Sequence, residues 1–339
     1  MIFAKKNILL LSLGILFVSS CKIHNTQSLS STSHPTSISS TSVSPLAATR
    51  EFTPSENVNG RFVVSDLKEV YFVDPIRNTI SRIETFQEPL VLIAFSPDGN
   101  KLAYLLNNSL TIVDTNTNGT NELVENQIGS IGGRMAWSPD GSMIALTCAT
   151  PSHPTSEICL VNTVDGSIRA VTNSKELGIL NPYDFVGFES WNNEGSAAAF
   201  TLNRTPSYGG DEKNDVYILD LITRKTRLVF NSQTQSNILN VGWVSVAPDN
   251  KALLFHGKVN GNFQIFQINM DGSGLRQITD QDGYDVTNPV WNPNGTLFSA
   301  LLYNSKGNLP SQVIIFDLNG EVVQRLKVNV SGFVVQWLK

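Results

Sequence analysis

One short unit recurs five times along this chain, and no other feature restricts its folding as tightly. Phe95-Ser96-Pro97-Asp98-Gly99 leads into Lys101-Leu102-Ala103-Tyr104, and Trp137-Ser138-Pro139-Asp140-Gly141 into Met143-Ile144-Ala145-Leu146. Trp191-Asn192-Asn193-Glu194-Gly195, Val246-Ala247-Pro248-Asp249-Asn250 and Trp291-Asn292-Pro293-Asn294-Gly295 each precede an apolar run in the same way. The chemistry is that of a tight turn between two strands. Proline presets φ, Asp or Asn bonds back to the backbone, and Gly or Asn accepts positive φ. A further apolar strand follows each time, as in Leu110–Asp114, Glu157–Val161, Asp215–Asp220, Gln264–Ile268 and Val313–Asp317. A Gly- or Asn-bearing turn and a short fourth strand complete the unit.

Four antiparallel strands per repeat predict the blades of a β-propeller, an all-β fold. From Gly99 the motif steps by 42, 54, 55 and 45 residues, and the chain ends 44 residues after Gly295. Trp337 falls where the next aromatic belongs. The rest of that repeat stands at the other end, at Asn59-Gly60, Arg61–Val64 and Glu69–Asp74. Six four-stranded blades are therefore expected, the last closed by the C-terminal strand against three N-terminal ones. Seven blades within the 281 residues from Asn59 would have to average about 40 residues, shorter than any full step.

The Trp-Ser-Pro-Asp-Gly turn and the run Asn269–Thr279 (NMDGSGLRQIT) resemble the repeat of the TolB-type propeller, which is related to WD-repeat blades. The resemblance covers roughly residues 59–339. It departs from TolB itself in having no α/β domain ahead of the propeller and in an N-terminus that reads as lipidated. That N-terminus has Lys5-Lys6, an apolar run of 11 residues from Ile8 to Val18, and then Val18-Ser19-Ser20-Cys21. It is a signal-peptide layout, too short for the roughly 20 apolar residues of a membrane span. It resembles the bacterial lipobox, which implies a diacylglyceryl group on Cys21 and two acyl chains as an anchor. The expected organisation is a signal peptide at 1–20, lipidated Cys21 with a Ser/Thr-rich tether at 21–58, and the propeller at 59–339. Such a tether cannot bury enough surface to fold. Its 37 residues from Lys22 to Val58 would span about 35 Å. The expected location is the cell envelope, on a membrane and facing the periplasm or exterior.

Function classes narrow next. A net charge of −5 without a Lys/Arg cluster argues against nucleic acid. Removing Cys21 from three cysteines leaves Cys148 and Cys159, on adjacent strands of one blade. They form either a disulfide, in an oxidising compartment, or two small buried thiols. The resemblance brings in a pectin-fragment lyase with metal-binding histidines in its channel. Here the four histidines are His24, His34, His153 and His256, which are too scattered for that, so no metal, cofactor or catalytic residue is expected. Asp280, Asp282 and Asp285 lack the order of a calcium loop. No Gly-x-Ser-x-Gly elbow occurs in the folded region. Asp98 and Asp140, which repeat with the blade, read as structural, and Trp137, Trp191, Trp291 and Trp337 as core. Trp243 stands three residues ahead of that pattern.

A partner site is expected where loops are long. The short turns fall on one face of the ring. The insertions Ala149–Glu157, Asn173–Tyr183, Asn203–Asn214 and Asp280–Asn288 fall on the other. Tyr183, Arg204, Tyr208, Asp211, Glu212 and Tyr284 are the candidate contact residues there, because Tyr and Arg are enriched at interface hot spots. The reading is a monomeric protein- or peptide-binding module tethered to a membrane. A carbohydrate or cell-wall-fragment receptor is the alternative, and a propeller enzyme the third.

Overall fold

The computed structural model describes residues 60–338, apart from 66–67, 78, 87–89, 91, 130–132, 151–152, 180–183, 205–212, 236, 305–311 and 330–332. The expected signal peptide, Cys21, the tether, Tyr183, Tyr208, Asp211 and Glu212 all lie outside the described residues. The described strands start with β1 (Arg61–Ser65), β2 (Glu69–Asp74) and β3 (Thr79–Thr85). Blade 1 follows as β4 (Leu92–Phe95), β5 (Lys101–Leu106), β6 (Ser109–Asp114) and β7 (Thr120–Val124). Blade 2 is β8 (Met135–Trp137), β9 (Met143–Thr150), β10 (His153–Asn162) and β11 (Ile168–Ala170). Blade 3 is β12 (Phe185–Trp191), β13 (Ala197–Arg204), β14 (Lys213–Asp220) and β15 (Thr226–Phe230). Blade 4 is β16 (Leu239–Val246), β17 (Ala252–Val259), β18 (Asn262–Asn269) and β19 (Arg276–Gln277). Blade 5 is β20 (Tyr284–Trp291), β21 (Leu297–Asn304), β22 (Gln312–Asp317) and β23 (Val322–Asn329). The last strand, β24 (Phe333–Leu338), pairs antiparallel with β1, with Phe62 opposite Trp337, and gives blade 6 the order β24-β1-β2-β3. All six sheets are four-stranded and antiparallel, so the protein is a six-bladed β-propeller with the expected split blade.

The core explains why the strands read as nearly continuous apolar runs. Both faces of each blade are buried, so alternate side chains enter different seams. On β9, Ile144, Leu146 and Cys148 pack toward blade 1, while Ala145 packs toward blade 3. Six separate apolar clusters result, one for each seam around the ring. At the closing seam Phe62, Val64 and Trp337 pack against Leu297, Leu301 and Ile315. The Phe62 and Trp337 rings lie 4.2 Å apart.

The repeated turn works through its side chains. Ser96 Oγ donates to Asp98 at 2.5 Å and accepts Lys101 N–H at 2.9 Å, locking the turn across its own hairpin. Ser138 does the same with Asp140 and Met143. The serine hydroxyls hold both carboxyl groups below the usual Asp range. In the next copy Asn192 replaces the serine as acceptor, taking Ala197 N–H at 2.8 Å, and Asn292 likewise takes Leu297 N–H at 3.0 Å. Gly99, Gly141, Gly195 and Gly295 have φ near +70°, and Asn250 serves in blade 4 at +57°. These positions need residues that tolerate the left-handed region.

Two of the four expected insertions are not loops. Strands β9 and β10 run through most of Ala149–Glu157, and β20 begins within Asp280–Asn288, at Tyr284. Among the described residues Ser156 and Glu157 are paired. Ser156 Oγ accepts Val186 N–H at 2.9 Å, and Glu157 accepts Thr172 Oγ–H at 2.7 Å and Ser174 N–H at 2.8 Å.

Candidate functional site

The inner strands β4, β8, β12, β16, β20 and β24 surround the central channel. Three of the repeat tryptophans stitch neighbouring strands together there. Trp137 Nε1–H donates to Ala94 O at 3.1 Å, Trp191 to Ala136 O at 3.0 Å, and Trp291 to Ser245 O at 3.0 Å. Each bond spans a seam, so these residues are core, as expected, and also fasten one blade to the one before. They line a cavity of about 270 Å³ that opens beside Pro139, Pro248 and Pro293, on the face of the short turns. Its walls carry Trp137, Trp191, Trp291 and Trp337, and Arg134 and Glu189 lie deeper along the inner strands.

Blade 4 lacks the repeat tryptophan and has Val246 in its place. A polar group joins that seam. Glu189, on β12, is 6% exposed. Its Oε2 accepts Val244 N–H of β16 at 3.0 Å, and its Oε1 accepts Thr201 Oγ–H at 3.1 Å. Burial pushes its carboxyl up to about 7, against the opposing pull of the Arg134 charge and these hydrogen bonds. Arg134 just precedes β8. Its backbone N–H donates to Phe188 O in blade 3 at 3.1 Å, and its guanidinium crosses to blade 4. There it donates to Val244 O at 3.4 Å and lies 5.0 Å from the centre of the Trp243 ring. Arg134 as a whole is half-buried and lines the cavity, and burial of its guanidinium lowers its pKa.

His256, on β17 opposite Gly242, completes the group. It is buried, and its Nδ1 makes no hydrogen bond among the described residues. Burial first, and then the Arg134 charge, push its pKa down to about 3, so it is neutral throughout the physiological range. The glycines leave room for this group. A Cβ on Gly242 would sit 3.4 Å from His256 Nε2 and 4.0 Å from Glu189 Oε1, and one on Gly187 would collide with Thr201 Oγ1 at 2.8 Å.

The expected contact residues fare differently. Arg204 ends β13 and is turned to its own blade, with Nε 3.4 Å from the buried Asp215 carboxylate, which also accepts Ser232 N–H and Oγ–H. Tyr284 starts β20 and packs against the seam of blades 4 and 5. The structure does not bring these two together, and the cavity lies on the opposite face. Asp280 and Asp282 are exposed, whereas Asp285 is buried and accepts Phe263 N–H at 2.7 Å. Among the described residues no three His, Cys, Asp or Glu side chains gather as a metal site. Cys148 and Cys159 share the seam of blades 1 and 2, with Cα atoms 5.9 Å apart and sulphurs brought together. That separation lies within the range a disulfide spans.

Fold and channel thus define a six-bladed propeller with a buried charged group beside its axial cavity. No protein-family model matches the chain. Among solved structures it is similar to a protein assigned as TolB from Agrobacterium tumefaciens, with a TM-score of 0.61 and 17% identity over 82% of this chain and 92% of that one. TolB from Acinetobacter baumannii follows at 0.56 and 15%, over 78% of this chain and 62% of that one. An oligogalacturonate lyase in complex with manganese gives 0.52 and 15%, over 70% and 65%. The fold is therefore that of the TolB-like propellers.

Proposed function

We propose that this chain is a membrane-tethered module of the cell envelope that binds a protein or peptide segment at the mouth of its channel. The observation carrying this reading is the cavity of about 270 Å³ among the inner strands, with walls of mixed apolar and polar side chains and a charged group at depth. Concave, mostly apolar sites with a few placed polar groups are where ligands bind. The short-turn face is preferred to the long-loop face because the cavity opens there. A sugar receptor is less well supported. Trp137, Trp291 and Trp337 are at most 7% exposed, which leaves the partly exposed Trp191 as the one repeat tryptophan in the described lining with ring surface for a pyranose to stack upon.

Tethering through a lipid on Cys21 rests on the N-terminal pattern. The expected result is that Cys21→Ser moves the protein from the membrane fraction to the soluble one. The mouth reading is tested by crosslinking in intact cells followed by mass spectrometry. Ser245→Trp, which fills the cavity, is expected to abolish the crosslinked partner, and Arg204→Glu to leave it. The reverse pattern would return the site to the long-loop face. We also propose that Cys148 and Cys159 are bonded. Alkylation without reductant should then leave their mass unchanged.

A further inference from the structure

The group at depth in the cavity says more about the occupant than the walls do. Among the described residues Arg134 is the one basic side chain lining the cavity, and Glu189 the one acidic side chain. The two are not equivalent. A guanidinium stays charged at any pH the protein meets, even when burial lowers its pKa. The Glu189 carboxyl, desolvated between blades 3 and 4, can take up a proton near neutrality. Once Glu189 is neutral, the cavity carries a single positive charge.

The positive charge is also placed to be used. Arg134 is braced by the Trp243 ring and by Val244 O, and the residue, half-buried as a whole, lines the cavity. Trp243 is held at φ +52°, a rare conformation for a bulky residue, and it brings its ring beneath the guanidinium. An arginine braced in this way loses less side-chain freedom on binding than a free one would. Arg and carboxylate are matched in charge and in planar geometry.

We propose that the channel mouth recognises an acidic side chain or chain-terminal carboxylate of its partner peptide, received by Arg134 and admitted when Glu189 holds a proton. This rests on the mouth reading above and specifies the partner's chemistry. With Glu189 ionised, an incoming carboxylate would share Arg134 with a second negative charge in a poorly solvated space. With Glu189 protonated, that repulsion is gone. Binding should therefore take up a proton and tighten as pH falls through about 7. The charged and titratable groups that face Glu189 are Arg134 from blade 2 and His256 from blade 4. His256 stays neutral in this window, and Thr201 and Trp243 are neutral throughout. The titration of binding therefore belongs to Glu189.

The test is selection of random displayed peptides against the full chain at pH 6, followed by affinity measurement on the recovered sequences. Peptides whose binding is lost in Ser245→Trp are expected, each with an Asp, a Glu or a free C-terminus that cannot be amidated without loss. Their affinity should fall several-fold at pH 8 and at least tenfold in Arg134→Met. Arg134→Lys, which keeps the charge, should recover part of the loss at an unchanged melting temperature. Glu189→Gln should keep the tight binding and remove its pH dependence, which a merely structural carboxylate would not do. Cavity-dependent peptides without a needed carboxylate, or indifferent to Arg134→Met and Arg134→Lys alike, would overturn this inference and leave the mouth reading intact. Failure to recover any peptide sensitive to Ser245→Trp would overturn the mouth reading itself.

Discussion

The seam between blades 4 and 5 and the seam between blades 3 and 4 solve one problem by opposite means. At the first, Trp291 packs its ring into the contact and donates its indole N–H to Ser245 O of the preceding inner strand. At the second, Val246 occupies the tryptophan position and cannot donate from its side chain. Val246 N–H instead reaches Ser190 Oγ at 3.2 Å, and Glu189 spans the contact to Val244 N–H. A neutral indole costs little to bury once its single donor is satisfied, and it does not titrate. A buried carboxylate is costly when charged, and the cost varies with pH. The repeat thus supplies insensitive seams, and one departure from it makes a seam that senses protons.

The largest expected effect tests whether any seam can stand without the ring. Deleting residues 331–339 removes β24 and leaves β1 and the Phe62 cluster uncovered. Loss of the cooperative melting transition is expected, and an unchanged melt would show that the blades are independent. Next comes the ordinary seam. Trp291→Ala should cost about 3–5 kcal/mol in denaturant unfolding. Trp291→Phe, which keeps most of the buried area but leaves Ser245 O without its donor, should cost about 1–2 kcal/mol. A cost near zero for Trp291→Phe would mean that the indole bond contributes nothing.

The sensing seam is predicted to show in the pH dependence of stability. Glu189 has its pKa raised on folding to about 7 from 4.5, so the stability it contributes is full at low pH and is lost as pH rises through that window. His256 has its pKa lowered to about 3 from 6.5, so its contribution is lost as pH falls from 6.5 toward 3. The two slopes oppose each other between about 4.5 and 6.5. Glu189→Gln leaves the His256 slope uncovered. Its stability should gain roughly 2–3 kcal/mol relative to wild type as pH rises across those two units, a difference that unfolding series at pH 4.5 and 6.5 would measure. A constant difference would mean that Glu189 stays ionised when buried. The smallest effect belongs to the turn of blade 4, where Ala247 replaces the serine or asparagine of the other copies. Ala247→Ser restores an acceptor for Ala252 N–H beside Asp249, and should stabilise by about 0.5–1 kcal/mol. No gain would mean that the backbone bond from Ala247 N to Ala252 O already suffices.

The blade plan was legible because each turn must satisfy the same local stereochemistry, which fixes Pro, Asp and Gly in place. The split blade was legible because Trp337 and Asn59-Gly60 are complementary halves of one unit. The extended β9–β10 hairpin was not, since Thr155, Ser156 and Glu157 look like loop residues until their partners in blade 3 and the β11 region are known. The channel group was hidden for a different reason. Arg134, Glu189, Trp243 and His256 are far apart in sequence and lie outside the motif, so only the packing of blades 2, 3 and 4 around the channel brings them together. Two traces were present. Trp243 stood three residues out of register, and Glu189 interrupted the apolar strand Phe185-Val186-Gly187-Phe188.

The closing pair β24–β1 also sets an order of events. A chain made from its N-terminus carries β1 for about 270 residues before residues 333–338 exist to pair with it. Until that pairing forms, any sheet of β1, β2 and β3 would have an open inner edge, the kind of edge on which strands of another copy can add. The final ladder joins residues about 270 apart in sequence, and contacts so distant are slow to form. The last six residues of the sheet therefore act as a timer as well as a clasp. Until they arrive the protein needs shelter from itself, and afterwards it has no free inner edge to shelter.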